Sequence, residues 1–231
     1  MSNNITIIRG NIFNTKSQTI VNTVNCVGVM GKGVALVYKL RYPDMFDKYQ
    51  ELCAQHLITI GKLWLYKGDS KFPWVLNFPT KTHWKMPSEY EYIEKGLAKF
   101  VETYREKGIT SIAFPLLGAN NGGLNPDVVL DIMRSHLSQC DIPVEIYLYD
   151  PAVADDLFET FKNKWNSIPA QDRKRVTGIR TQKQIDTLND AVNGGKVNSM
   201  MTLLEFDGIG LATMQKCYGL VINYIEEPTL L

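Results

Sequence analysis

Hydrophobic positions along the first two-thirds of the chain alternate between two patterns. Short apolar, β-branched runs read as strands at residues 5–8, 18–24, 63–66, 74–78, 111–115 and 144–149. Arg9-Gly10 ends the first, and a turn at Gly68-Asp69-Ser70 joins the third and fourth. Between the runs, apolar residues recur at helical spacing. A helix over 34–42 is closed by Pro43, and one over 44–55 carries Met45, Phe46, Tyr49 and Leu52 on one face. Ser88 is the expected cap of a long helix. Its stripe of Tyr92, Ile93, Leu97, Phe100, Val101 and Tyr104 runs to a stop at Gly108. A helix over 126–137 has Pro126 near its start. Strands that alternate with helices predict an α/β fold, with a mixed sheet covered by helices on both faces.

The pattern changes after Pro151. Residues 152–165 read as a helix, and residues 182–192 as another, stopped by Gly194-Gly195. Leu220-Val221-Ile222 continues a helix rather than forming a strand. Between 162 and 183 stand Lys162, Lys164, Arg173, Lys174, Arg175, Arg180 and Lys183 against the single acid Asp172. The segment from Phe206 to Lys216 is similar to a helix-hairpin-helix motif, in which a G-h-G turn, here Gly208-Ile209-Gly210, offers backbone N–H groups to a DNA phosphate. An ordinary glycine turn between helices explains the same residues. Residues 152–231 hold nine basic and ten acidic residues, which does not favour strong DNA binding. The expected organisation is therefore 1–151 and 152–231, the second part helical and serving either as a DNA grip or as a partner-docking domain.

Composition narrows the function classes. With 231 residues, 45% hydrophobic, the chain can bury a full core, and its net charge of +1 exerts no global pull on nucleic acid or lipid. No apolar run has the length of a membrane span, and the first residues lack the pattern of a signal peptide. Cys26, Cys53, Cys140 and Cys217 are widely spaced, which suggests reduced thiols in a cytoplasmic protein. His56, His83 and His136 have no metal-ligand spacing, and no metal or cofactor is expected.

The chemistry concentrates in VNTVNCVGVMGKG, residues 21–33. An apolar run leads into Asn22 and Asn25, then into a turn with Gly28, Gly31 and Gly33, then into a helix. Such a loop can bring backbone N–H groups against a phosphate, and carboxamides can bond sugar hydroxyls. It matches neither the P-loop nor the dinucleotide fingerprint. A plain glycine-rich connection with an incidental asparagine pair is the competing reading. A second glycine-asparagine loop spans residues 117–124, also where a strand feeds a helix, so both loops should face one crevice at the carboxyl ends of strands.

Four separated motifs, G-N-I at 10–12, VNTVNCVGVMGKGVAL at 21–36, NFPTKTHW at 77–84 and PLLGANNGGL at 115–124, occur in the order found in macrodomains. Residues 4–151 resemble the branch of that family that holds DarG, an antitoxin that removes ADP-ribose from thymidine in DNA, and the terminal ADP-ribose protein glycohydrolases. The resemblance implies a three-layer α/β/α sandwich. Asn11 and Ile12 would contact adenine, although many macrodomains carry Asp at the first of these positions. Asn22 and Asn25 would lie near the distal ribose. The loop of Val29, Met30, Gly31, Lys32 and Gly33 would hold one side of the diphosphate, and Leu117, Gly118, Ala119, Asn120, Asn121, Gly122 and Gly123 the other. Thr80 would line the pocket.

In this branch the lysine of N-F-P-T-K, here Lys81, attacks C1″ of the distal ribose or otherwise assists cleavage there. A lysine does so when burial or a neighbouring cation frees its amine, and His83 and Lys85 are near in sequence. A solvated lysine at a strand end is the alternative. Protein-directed relatives pair the lysine with an aspartate in the second loop; G-A-N-N-G-G has no acid, which fits the DNA-directed branch. The implied activity is an ADP-ribosyl glycohydrolase acting on thymidine-linked ADP-ribose, with ADP-ribosylated DNA and a DarT-like toxin as partners. A non-catalytic ADP-ribose reader, an antitoxin that works by binding, and a hydrolase of protein-linked or free ADP-ribose derivatives are the alternatives. Trp64, Trp74 and Trp84 are expected to pack in the core or pocket wall, with stacking of Trp84 on a DNA base the rival reading. His136 and Cys26 read as structural.

Overall fold

The computed structural model describes residues 4–68 and 72–222, which divide into two compact units, Met1–Asp150 and Pro151–Leu231. The first unit is built on six strands: β1 (Ile5–Gly10), β2 (Thr19–Asn25), β3 (Trp64–Tyr66), β4 (Trp74–Lys81), β5 (Ile112–Pro115) and β6 (Val144–Tyr149). They form one mixed sheet in the order β1-β6-β5-β2-β4-β3, parallel except for the β3–β4 pair. Asp69 and Ser70 of the expected turn lie outside the described residues.

Helices α1 (Gly33–Arg41), α2 (Pro43–Ala54), α3 (Tyr90–Thr103) and α4 (Pro126–Leu137) cover the sheet. Successive side chains of a strand point to opposite faces. Val21, Leu76, Phe78, Phe114 and Ile146 turn toward the α3–α4 layer and bury Ile93, Leu97, Phe100, Val129, Met133 and Leu137. Ile20, Asn22 and Val24 point the other way, toward α1, which packs on β2 and on α2. Gly96 lets α3 approach β4, since a Cβ there would fall inside the Phe78 ring. The result is an α/β arrangement of a mixed sheet between helices, as the hydrophobic pattern predicts.

Two local expectations are corrected. Ser88 does not cap α3. The N-cap is Glu89, without a side-chain bond, while Ser88 is buried and its N–H donates to Gly122 O at 3.0 Å. The strand expected to end at Phe78 runs on to Lys81. Pro79 is tolerated because β3 reaches only as far as Asn77 and the β2–β4 register shifts between Val24 and Asn25.

The second unit holds α5 (Phe158–Ser167), α6 (Arg173–Thr177), α7 (Gln182–Asn193), α8 (Met200–Leu204) and α9 (Leu211–Ile222). Phe158, Phe161, Trp165, Leu188, Met200, Leu203, Met214 and Cys217 are buried in its core. The helix expected from residue 152 begins only at Phe158. Asp155 accounts for the late start: its Oδ1 accepts the N–H groups of Leu157 (3.2 Å) and Phe158 (2.9 Å), and its Oδ2 that of Met200 (2.7 Å). Part of the basic run serves structure. Arg173 lies over the Trp165 ring at 4.9 Å and Arg175 pairs with Asp172 at 3.0 Å. The Gly208-Ile209-Gly210 turn joins α8 to α9, and Gly210 O accepts the N–H groups of Thr213 and Met214, both at 3.0 Å.

Candidate active site

The parallel strands β1, β2, β4 and β5 all end at one edge of the sheet, and each carboxyl end carries a predicted site segment. Open α/β sheets bind ligands beyond such ends. Asn11 follows β1 and caps the 3-10 turn Ile12–Asn14, its Oδ1 accepting from Phe13 N at 3.2 Å. Ile12 is buried beside it.

Asn25, the last residue of β2, organises the first glycine loop. Its Oδ1 accepts from Val27 N at 3.0 Å and Val29 N at 3.3 Å, and its Nδ2 donates to Val29 O at 2.5 Å. Tyr49 on α2 donates to Asn25 O at 2.6 Å and to Asn25 Oδ1 at 3.2 Å, and Gln50 Nε2 donates to Gly28 O at 3.2 Å. One carboxamide thus binds three backbone groups of the turn, and α2 locks the turn from behind. Val29, Gly31 and Lys32 are exposed along the loop, while Met30 is buried. Lys32 is the N-cap of α1, without a side-chain bond.

Asn22 sits one level deeper. It is wholly buried and stands opposite Asn77 in the β2–β4 register. Asn22 Nδ2 donates to Asn77 Oδ1 at 3.0 Å and lies 3.7 Å from Met30 Sδ. The structure therefore separates the two asparagines: Asn25 shapes the loop, and Asn22 joins a buried amide pair beneath it.

Lys81 ends β4 directly opposite Asn25 in the register. Its Nζ donates to the backbone carbonyl of Asn121, in the second loop, at 2.5 Å. Burial lowers its pKa below the ordinary lysine value. The two neighbours named in sequence are engaged elsewhere: the His83 ring stacks on Trp84, and His83 Nδ1 accepts from Lys85 N at 3.2 Å. Thr80 is buried behind Lys81, and Thr82 O accepts from Cys26 N at 3.3 Å, which joins the end of β4 to the first loop.

The second loop is braced from below. Leu117 is fully buried and Ala119 nearly so. Gly118 has φ +66, and its carbonyl accepts from Leu124 N at 3.1 Å. Gly122 leaves no room for a side chain, because a Cβ would meet Gly118 O and Ser88 Oγ. Asn120, Asn121 and Gly123 are exposed. The two loops touch across the edge: Gly33, at φ +59, has the Asn121 carboxamide where a Cβ would be. The segments 28–33, 117–123 and Lys81 are thereby brought together, with Asn22 beneath them.

In and around these segments, four buried polar atoms have no hydrogen-bond partner among the described residues: Asn11 Nδ2, Asn22 Oδ1, Asn77 Nδ2 and Ser88 Oγ. Unpaired buried groups are rare and concentrate where a bound molecule or water completes the bonding. Sequence reasoning missed Asn77, Tyr49, Gln50 and Ser88 as parts of this site. Asn77 alone carried a signal, being the first residue of the N-F-P-T-K run. The others act across elements. Cys26 lies in the loop, but burial pushes its thiol up to about 11, so it stays protonated at neutral pH and does not act as a nucleophile. His136 bonds the Ile132 carbonyl of its own helix at 3.0 Å. Trp84 departs from expectation: it is 49% exposed, not packed. Among the described residues, no group of three His, Cys, Asp or Glu side chains could hold a metal, and no helix is long and apolar enough to cross a membrane.

The family model described as Macro domain matches residues 21–133. A DNA ADP-ribosyl glycohydrolase of Mycobacterium tuberculosis is 42% identical over 150 residues, covering 64% of this chain and 42% of that protein. The solved macrodomain of Mycobacterium tuberculosis DarG is 43% identical with a TM-score of 0.60, over 62% of this chain and 96% of that one. Thermosipho africanus DarTG in complex with ADP-ribose is 40% identical with a TM-score of 0.61, over 64% of this chain and 42% of that one. The chain spans about 42% of the length of such curated relatives. With the mixed sheet, the two glycine loops and the motif order, these likenesses show that the chain belongs to the macrodomain family, alongside the DarG macrodomains.

Proposed function

We propose that the protein is a DNA ADP-ribosyl glycohydrolase that removes ADP-ribose from a nucleobase, thymidine being the preferred target. The observation that carries this reading is the position of Lys81. A lysine with a lowered pKa ends β4, facing Asn25 in the register and held by the loop of Asn121. In the proposed site the loops 29–33 and 117–123 hold the diphosphate through backbone N–H groups. Asn11 and Ile12 take the adenine end, Thr80 lines the pocket, and Asn22 and Asn25 shape the region of the distal ribose. The neutral amine of Lys81 attacks C1″, the C1″–N bond breaks, and the base leaves with a proton. Water then displaces the lysine and releases ADP-ribose.

The likeness to DarTG supports a DarT-like toxin as partner and ADP-ribosylated DNA as substrate, and the free cysteines fit a cytoplasmic setting. Residues 152–231 are then a helical domain of their own that grips DNA or docks the partner. A second reading, an ADP-ribose reader or an antitoxin acting by binding alone, is favoured by one contact: the Lys81 amine is already occupied by Asn121 O. A release assay on ADP-ribosylated DNA, RNA and protein separates the two. Release of ADP-ribose from the DNA oligonucleotide is expected. Tight binding with no release from any of the three substrates would leave the reader.

A further inference from the structure

Three residues beyond Lys81, the chain leaves the sheet in a tight turn, with Met86 N donating to His83 O at 3.0 Å. The turn displays Trp84, 49% exposed, and Met86, 54% exposed, and Tyr90, at the start of α3, is 37% exposed. Large apolar side chains displayed together on a surface mark an interaction site more often than singly scattered ones. The His83 ring stacks on the indole, centroids 5.5 Å apart and planes 29° apart, and holds it outward. Lys85 Nζ lies over the indole at 5.0 Å from the centroid. Neither Lys85 nor Lys32, exposed on the first loop, has a carboxylate partner among the ion pairs of the described residues.

An outward aromatic ring with an unpaired lysine over its face is the combination that single-stranded nucleic acid uses, with a base on the ring and a phosphate on the cation. Three residues of extended chain span at most about 11 Å, so Trp84 lies within reach of nucleotides neighbouring one whose sugar bond is at Lys81. We propose that Trp84, backed by His83 and assisted by Lys85, is a stacking subsite for an unpaired base flanking the ADP-ribosylated nucleotide. This rests on the DNA glycohydrolase reading and adds to it a preference for a single strand over an isolated nucleoside. A protein partner that offered a carboxylate to Lys85 would use the same residues, and it is the alternative outcome of the test.

The test compares two ligands, an ADP-ribosylated single-stranded DNA octamer and ADP-ribosyl thymidine, on the full chain and on Trp84→Ala and Trp84→Phe. Binding is measured by calorimetry at low temperature, and release is followed separately. The octamer should bind the native protein about ten- to a hundredfold more tightly than the nucleoside. Trp84→Ala should erase that advantage without changing nucleoside binding, and Trp84→Phe should retain most of it. An octamer with an abasic site beside the modified nucleotide should cost the native protein the same factor and Trp84→Ala nothing further. Equal binding of octamer and nucleoside, or an octamer advantage untouched in Trp84→Ala, overturns the subsite and assigns this face to a protein partner. Release from both ligands in that case leaves the glycohydrolase reading standing. An octamer advantage that depends on Trp84, with no release from either ligand, supports the subsite and removes the hydrolase.

Discussion

Asn25 is the residue on which the first loop depends, and its removal gives the sharpest test of how the site is built. Asn25→Ala deletes the acceptor for Val27 N and Val29 N, the donor to Val29 O and one of two acceptors for Tyr49 OH. Each such bond contributes about 0.5–1.5 kcal/mol net. Val27 and Val29 are exposed, so their N–H groups regain water and contribute at the low end. Tyr49 keeps Asn25 O at 2.6 Å, so its hydroxyl is not stranded. The expected loss of stability is therefore modest, about 1–2 kcal/mol, or a few degrees in Tm. The larger effect should fall on the ligand. A turn no longer held by its carboxamide must be ordered on binding, and ordering three or four residues, each costing about 1–2 kcal/mol of backbone entropy, lowers ADP-ribose affinity by at least tenfold. Calorimetry with ADP-ribose measures the affinity, and thermal unfolding without ligand measures the stability. Asn25→Asp keeps the acceptor but loses the donor and adds a charge beside the proposed diphosphate, so it should unfold close to native yet bind poorly. Native ADP-ribose affinity in a folded Asn25→Ala protein would refute the argument that this side chain shapes the loop.

Four further outcomes are expected. Lys81→Ala should lose several orders of magnitude in turnover with ADP-ribose affinity within about tenfold, roughly 1.4 kcal/mol; full turnover would remove the lysine mechanism. Because burial lowers the Lys81 pKa below 10.5, the neutral amine gains population as pH rises, so kcat should climb along a limb with an apparent pKa below that value, and a flat profile would contradict a lysine nucleophile. Gly33→Glu should abolish ADP-ribose binding, since φ is +59, the Asn121 carboxamide occupies the Cβ position and a carboxylate would face the diphosphate; binding by calorimetry checks it. A chain ending at Asp150 should keep ADP-ribose affinity, and if the helical unit grips DNA it should lose oligonucleotide affinity most at low salt, whereas equal binding at every salt concentration would show that the unit does not grip DNA.

What the sequence revealed and what it hid divide along a physical line. The periods of two and 3.6 placed the sheet and its helices because those features are local. β1, β2, β5, β6, α1, α2 and α4 start and stop within about two residues of the expected positions, the usual uncertainty of helix and strand ends, while α3 ends at Thr103, short of the expected stop at Gly108. The misplacements arise where distant chain decides. Ser88 looks like a helix cap in sequence, yet the second loop claims it. Pro79 looks like a strand end, yet the short β3 and the register shift accommodate it. Residues 152–157 look helical, yet Asp155 takes the N–H groups of Leu157, Phe158 and Met200. The site was legible as motifs but not as geometry. Nothing in the spacing of Asn22 and Asn25 says that one is buried against Asn77 while the other bonds its own loop. The α2 residues Tyr49 and Gln50 carry no site signal at all, because their role is to bond backbone atoms some 20 positions earlier.

The second loop lacks an acid, and the chemistry of Lys81 gives that absence a meaning. A carboxylate beside the amine would stabilise the ammonium and raise its pKa. It would then have to act as a base to restore the nucleophile. Here the partner is a backbone carbonyl, Asn121 O, which can accept from a neutral amine as well as from an ammonium and, unlike a carboxylate, carries no full charge to hold the proton. Burial acts in the opposite direction to a carboxylate and lowers the pKa. The arrangement therefore suits a lysine that attacks directly rather than one activated by an acid–base partner. Introducing the acid tests this reasoning. Ala119→Asp is unsuitable, because that side chain is nearly buried, but Asn121 is exposed and adjoins Gly33. Asn121→Asp should shift the pH–rate limb upward, toward or above the ordinary lysine value, and lower turnover at neutral pH. A limb that stays in place, with turnover unchanged, would show that Lys81 does not work through its free amine.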